Sequence, residues 1–397
     1  AALAALDHVG TNVFLLDSGT TQSEIDELAN VFQLRSIVRI AGQSKWTVEK
    51  REVAGADNET RCVTILTSGT TGRPKAARHT WESLSRPVAT LRQPIDRSES
   101  KEQSRWLLTY RPQLYAGLQV VLHAFADRGV LVVLDDGASP QDIVQLMRDQ
   151  GVGFVSATPS FWRGILLAVD ETQLHPLQLK QITLGGELVD QGLLNSLKRV
   201  FDEARIIHIY ATTELGKCFS VTDGFAGFPE SFLHTELPGG VRLKVEDGRL
   251  YVRSKNKMQN YDPLGSRLVP EGTMKAGDTW FDTRDLVEIE GDRVFFVGRE
   301  SDIINVGGYK VNPTKVEAVV RQVTGIGDAR VFGQTSSVTG QIVACDIVLD
   351  DDVSAETTMQ AIRELAAKEL DRYHVPRIIN VVDEIKRTSA GKTRRTE

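Results

Sequence analysis

The chain is 397 residues long, 41% hydrophobic and 25% charged, which is ordinary for a globular protein and longer than one core normally serves, so two domains are expected. Its 47 basic and 53 acidic residues leave a net charge of −6, which argues against nucleic acid or an anionic membrane as partner. Three scattered cysteines (Cys62, Cys218, Cys345) lack metal spacing and an even count, and no apolar stretch reaches membrane-spanning length, so a cytoplasmic protein with free thiols is the expectation.

The opening AALAAL has no basic residues before it and ends at Asp7, unlike a secretory leader. TNVFLLD (11–17) reads as a strand, and TQSE (21–24) as a capping box that opens the helix SEIDELANVF. Short apolar runs follow at CVTIL (62–66), VLVVL (130–134), GFVSA (153–157), QITL (181–184) and RIIHIY (205–210). Amphipathic stretches such as QDIVQLMRDQ (141–150) and QGLLNSLKRVF (191–201) alternate with them. That alternation predicts a layered α/β domain around a largely parallel sheet.

From about residue 240 the pattern changes. VRLKVEDGRLYVRS (241–254) reads as a hairpin turning at Asp247–Gly248, and LVEIEGDRVFFVGR (286–299) as one turning at Gly291–Asp292, which together predict a small β-subdomain. Beyond it lies an α+β unit with helices TKVEAVVRQV (314–323, Asn312 as N-cap) and ETTMQAIRELAAKEL (356–370), and strands QIVACDIVL (341–349) and RIINVV (377–382). The expected boundary falls near 299–302, giving a large domain over 1–299 and a small mobile one over 300–397.

Directly after the strand CVTIL comes TSGTTGRPK (67–75). Glycine-freed amides, hydroxyls and one Lys suit phosphate oxygens, although a hydroxyl-rich surface turn reads equally well from this stretch alone. Walker spacing is absent, because Arg73 and Pro74 separate Gly72 from Lys75, and no G-x-G-x-x-G occurs. The stretch resembles the phosphate loop of the adenylate-forming superfamily, which includes acyl-CoA synthetases, adenylation domains and luciferases. Five further segments resemble that family in the same order: GGE (185–187), YATTE (210–214), FDTRD (281–285), GRESDIINVGGYKVNPTKVE (298–317) and RTSAGKTRR (387–395).

The resemblance implies ATP-dependent conversion of a carboxylic acid to an acyl-adenylate, with pyrophosphate released. Thr67, Ser68, Gly69, Thr70, Thr71, Gly72 and Lys75 would hold the phosphates. Gly186, Glu187, Tyr210, Ala211 and Thr212 match the adenine segments, with the Tyr210 ring against the base. Thr213 would meet the α-phosphate and Glu214 would hold Mg²⁺; Asp285 and Arg299 would take the ribose and nucleotide. Lys392 would bridge the acid and the α-phosphate, and the small domain would swing about Ser301 to admit a thiol from coenzyme A or from the phosphopantetheine of an acyl carrier protein. Lys310, Lys315 and Arg321 are the basic residues that would favour a carrier protein.

Departures from the family pattern are Ala211 and Arg284, each where Gly is common, and Ser301 at the hinge. These motivate an alternative of another class, a non-catalytic nucleotide-binding protein of the same fold. Pocket candidates are Leu114, Tyr115, Trp162 and His208, of which Trp162 also reads as core and His208 as a satisfied core histidine. Leu114 stands where amino-acid-activating relatives place Asp, which disfavours an amino acid and leaves a small aryl or short-chain acid. Arg111 and Arg163 are candidates for a second substrate carboxylate. The chain has no initiating Met and only 66 residues before the loop, fewer than the family generally has; either the sequence is trimmed or its first subdomain is reduced, which would affect coenzyme A delivery more than adenylation.

Overall fold

The computed structural model describes residues 12–16, 19–32, 34, 36–41, 45–51, 62–67, 75–90, 103–135, 137–261, 280–350 and 353–385. Helix starts follow the local chemistry. Thr21 and Glu24 form the capping box of Gln22–Val31. Ser139 and Asp142 form another, with Pro140 opening Pro140–Asp149. Asn312 caps Pro313–Val320 through the Thr314 N–H. In each case a side-chain oxygen takes an amide that the first helical turn leaves unpaired.

Six strands form the central sheet, in the spatial order Gly216–Val221, Arg205–Thr212, Gln181–Leu184, Phe154–Ala157, Arg105–Leu108 and Val130–Val133. Five of them run parallel and only the edge strand Gly216–Val221 is antiparallel. One face carries a core that includes Leu107, Met147, Ile165, Ile182, Leu184 and Leu197. Val130–Val133, Phe154–Ala157 and Gln181–Leu184 fall within predicted apolar runs, and Arg205–Thr212 runs two residues past RIIHIY. Arg105–Leu108 and the return strand Gly216–Val221 have no counterpart in the predicted elements.

A second sheet holds Val13–Leu15, Val63–Thr67, Lys75–His79 and Asn260–Tyr261. Val63–Thr67 and Lys75–His79 are antiparallel, and Thr67 faces Lys75 at their open end. The phosphate-loop motif thus spans a hairpin closed by its first and last residues.

Both hairpins of the β-subdomain form as predicted, within a five-stranded sheet. Asp247 (φ 49°) and Gly248 (φ 70°) supply the paired left-handed residues that such a turn requires. Arg284 is also left-handed, at φ 58°, held by its N–H on Asp282 Oδ1 at 2.9 Å. That conformation explains why Gly is the common residue here: a Cβ at such φ costs about 1–2 kcal/mol. Glycine's greater freedom in the unfolded chain returns about 0.5–1 kcal/mol of this. Arg284→Gly is therefore expected to stabilise the protein by roughly 0.5–1 kcal/mol, read as a higher urea midpoint at unchanged slope.

The last unit packs Pro313–Val320 and Ala355–Glu369 on a sheet built from Ile304–Val306, Tyr309–Val311, Ile326–Ser336, Gly340–Leu349 and Ile378–Val381. Val316, Val331, Val343, Ile347 and Ile362 fill its own core. Ile326–Ser336 is another strand missing from the predicted set. Its inward residues are small (Ala329, Val331), and its polar Arg330 is matched across the pair by Asp346, so no strong apolar alternation announces it.

Candidate active site

The predicted nucleotide residues described here gather where Arg205–Thr212 ends and its chain turns back as Gly216–Val221. In an open parallel sheet, ligands sit beyond the carboxyl ends of the strands, which is this edge. Four hydrogen bonds fix the turn. Thr212 Oγ1 accepts from the Leu215 N–H at 3.1 Å, and Glu214 O accepts from the Met258 N–H at 2.7 Å. Ser254 donates to Leu215 O at 3.1 Å. His79 Nε2 lies 2.6 Å from Thr213 O.

His79 is a residue that the motifs do not point to. It ends the strand after the phosphate loop and is completely buried, its ring tilted against Tyr115 at 5.7 Å. A ring nitrogen that close to a carbonyl oxygen must carry the proton, so Nδ1 turns to the Ser83 hydroxyl at 3.1 Å. Burial lowers its pKa, with the bond to Thr213 opposing, so the ring is neutral near pH 7. His79 therefore ties the phosphate-loop hairpin to the segment bearing Thr213 and Glu214. Its partner is 134 residues away in sequence, and no local pattern reports such a pairing.

Asp285 is the second anchor. Only 6% exposed, it accepts from Arg299 Nε at 2.6 Å and from the Tyr210 hydroxyl. Asp285 and Arg299 are cross-strand partners in the β-subdomain. The nearby carboxylate raises the Arg299 guanidinium; burial first and Asp285 second raise the Tyr210 phenol, which therefore stays a donor. Tyr210 thus connects the central sheet to the β-subdomain. Its ring stacks on Phe219 at 5.3 Å and Phe296 at 4.8 Å. The resemblance puts that ring against adenine; within the protein its stacking neighbours are phenylalanines.

The structure places the other candidates as follows. Trp162 is fully buried, edge-on to Phe161 and Phe201, so it belongs to the core and not to a pocket wall. His208 donates its Nε2–H to Phe225 O at 3.0 Å, since a carbonyl only accepts, and is the satisfied structural histidine that the sequence offers as one reading. Arg163 is paired with Asp190, which removes it as a partner for a substrate carboxylate. Glu187 turns one carboxylate oxygen to the Ser160 N–H at 2.9 Å, in the first turn of Pro159–Ala168, a favourable place for negative charge. Gly186 is left-handed at φ 84°.

Leu114 precedes Tyr115–Ala126 at its N-cap without a capping side chain, and Tyr115 is buried beside the site. Ala211 faces Lys217 at a bulge of the edge pair. Ser301 lies in the short Glu300–Asp302 turn and donates to Asp302 Oδ1 at 2.9 Å. Ser68, Gly69, Thr70, Thr71, Gly72 and Lys392 lie outside the described residues, as does the side chain of Thr67. Among the described residues no cluster of three or more His, Cys, Asp or Glu forms a cation cage. A single carboxylate such as Glu214 would suit a Mg²⁺ that keeps waters and arrives with nucleotide phosphates. Among them, too, no helix is long and apolar enough to cross a membrane.

A parallel sheet, a β-subdomain carrying the Asp285–Arg299 pair and a terminal α+β unit match known proteins over the whole chain. Residues 3–261 match the AMP-binding enzyme family and residues 315–392 match the AMP-binding enzyme C-terminal domain. A 2-succinylbenzoate–CoA ligase of Bacillus subtilis is 25% identical over 408 residues, covering 100% of this chain and 79% of that one. The long-chain-fatty-acid–CoA ligase FadD13 of Mycobacterium tuberculosis is 27% identical over 359 residues, covering 87% of this chain and 68% of that one. An ATP-bound RpMatB–BxBclM chimera has the same fold, with a TM-score of 0.76 at 18% identity over 98% of this chain and 83% of that one. The class is that of adenylate-forming enzymes of the acid–CoA ligase type, which use ATP and coenzyme A. The chain belongs to the AMP-binding enzyme family.

Proposed function

We propose that this enzyme joins a small aryl or short-chain carboxylic acid to coenzyme A in two steps. First the carboxylate attacks the α-phosphorus of ATP, forming the acyl-adenylate and releasing pyrophosphate. Then the thiol attacks the acyl carbon, AMP leaves, and the thiol proton is released. The observation that carries this reading is the convergence of Asp285, Arg299, Tyr210 and the Thr213–Glu214 turn at one sheet end.

In this reading Asp285 accepts from the ribose hydroxyls and Arg299 keeps it ionised and oriented. Thr213 donates to the α-phosphate, and Glu214 holds Mg²⁺, which supplies positive charge to the phosphates. The loop 67–75 cradles the outgoing pyrophosphate, and Lys392 neutralises charge between acid and α-phosphate. Rotation of the unit from 300 onward about Ser301 then exchanges the lysine for the thiol.

Relatives named for 2-succinylbenzoate support an aromatic acid. Coenzyme A is favoured over a carrier protein because two of the three basic residues that would favour a carrier are engaged. Lys315 pairs with Glu288 at 2.7 Å, and Arg321 with Glu317 and Asp328, leaving Lys310 exposed on its strand. ATP–pyrophosphate exchange with Mg²⁺, run over aryl, short-chain, fatty and amino acids, is the test. Exchange is expected with aryl or short-chain acids, followed by thioester formation when coenzyme A is added. Adenylate without thioester would turn the reading to a carrier protein. ATP binding without exchange for any acid would replace it with a non-catalytic nucleotide-binding protein.

A further inference from the structure

A unit that is to swing about Ser301 must first leave its place, and two polar ties close to the hinge hold it there. Both start from the beginning of the helix Pro313–Val320. Asn312, the cap of that helix, divides its side-chain amide between two tasks. Its Oδ1 accepts from the Thr314 N–H at 3.0 Å, and its Nδ2 donates to Val297 O on Arg293–Arg299, a strand of the β-subdomain. The receiving strand leaves room for it. Gly298 is at φ 140°, and a Cβ there would stand 3.0 Å from Asn312 Oδ1 and 3.4 Å from its Nδ2, so glycine is what lets the amide lie against the strand. Asn312 is only 8% exposed, so water does not readily replace the bond.

Lys315, in the first turn of the same helix, makes the second tie. Its Nζ lies 2.7 Å and 2.9 Å from the two carboxylate oxygens of Glu288 on the neighbouring strand Phe281–Glu290. The two side chains are 44% and 45% exposed, so salt screens this pair and it is the weaker of the two. Both acceptors lie before residue 300 and both donors after Ser301. Rotation about Ser301 therefore breaks both ties while sparing the bonds within either domain. Arg299, next to Gly298, carries the pair with Asp285, so the tie is anchored on the same strand end as the proposed ribose contact.

We infer that Asn312 is a positioning residue, with Lys315 as its auxiliary. The amide clasp on Val297 holds the terminal unit in the orientation seen here, and how often it opens sets the balance between the two steps of the reaction. This rests on the two-step reading above and adds to it the contact that has to let go. Capping and clasping can be separated. Asp caps a helix start as well as Asn, and its charge suits that end of the helix, but it has no N–H for Val297 O. Asn312→Asp thus keeps the helix and opens the clasp.

The test uses the full chain. Asn312→Asp is expected to change the ratio of ATP–pyrophosphate exchange to thiol-dependent discharge of the preformed acyl-adenylate by about 10-fold, one rate falling and the other not. Glu288→Gln is expected to change it by about 2-fold to 3-fold at low salt and not at all at high salt. Equal loss of both rates in Asn312→Asp, or no change in either, overturns the clasp. Spin labels at Glu203→Cys on the large domain and Val338→Cys on the terminal unit, both exposed positions, read the orientation without activity; the three native cysteines are buried and escape labelling. The labelled pair is expected to show one main distance in free and ATP-loaded protein, and Asn312→Asp to add a second population. A distance distribution that Asn312→Asp leaves unchanged overturns the inference whatever the kinetics. A second population without exchange for any acid keeps the clasp and discards the two-step reading.

Discussion

Asp285→Ala is expected to lower stability by about 2–4 kcal/mol and to raise the KM for ATP in pyrophosphate exchange by about 100-fold. The stability loss has two sources. Tyr210, packed among phenylalanines, loses the acceptor for its hydroxyl, and a buried unsatisfied donor costs about 1–3 kcal/mol. Arg299 loses its carboxylate, but with its side chain 50% exposed it turns to water, so its share is smaller than for a fully buried pair. The KM effect follows from the proposed ribose contact, since hydrogen bonds to a charged acceptor contribute about 1.5–3 kcal/mol each. Urea titration and exchange kinetics read the two effects separately. Asp285→Asn keeps the volume and one acceptor oxygen and is expected to fall between. A stability loss with an unchanged KM for ATP would reduce Asp285 to a structural tie.

His79→Ala is expected to cost about 3–4 kcal/mol and to lower kcat for exchange by 10-fold to about 100-fold. Removing a fully buried ring leaves a cavity, and Thr213 O and Ser83 Oγ both lose a neighbour. The kinetic effect comes from position, because Thr213 and Glu214 are no longer tied to the hairpin that carries the phosphate loop. The KM for ATP should move less than kcat, a split that general destabilisation does not produce. His79 also gives a pH signature. Its folded pKa lies below 6.5, so below pH 6.5 the unfolded chain binds the extra proton. Its contribution is therefore complete above pH 6.5 and is lost as pH falls toward the folded value. His79→Gln keeps an amide donor for Thr213 O and should flatten that decline. An acid limb identical to wild type would show that His79 is not its source.

Much of the architecture was legible because its causes are local. Thr21 and Asn312 announce helix starts through their own side chains, and Asp247–Gly248 announces a turn through its left-handed tolerance. Parallel strands show as apolar runs because both faces are covered. The strand Ile326–Ser336 was not legible, since its stability comes from pairing with Gly340–Leu349 and not from its own pattern. The same division holds at the site. Motifs identify Asp285, Thr213 and Glu214, but the three-dimensional partners remain hidden: Tyr210 on Asp285, His79 on Thr213, Glu187 on a helix start and Asp190 on Arg163.

The Tyr210–Asp285–Arg299 contact also bears on which part of a nucleotide is recognised. A carboxylate offers about four lone-pair directions, and Arg299 and Tyr210 each use one. On the proposed placement of the ribose, the two left over equal its two vicinal hydroxyls. Tyr210, meanwhile, already has aromatic neighbours on Phe219 and Phe296, so a base gains less from it than from a free ring. Selection at this site then falls on the sugar: adenosine and guanosine triphosphates would differ less from each other than either would from its 2′-deoxy form.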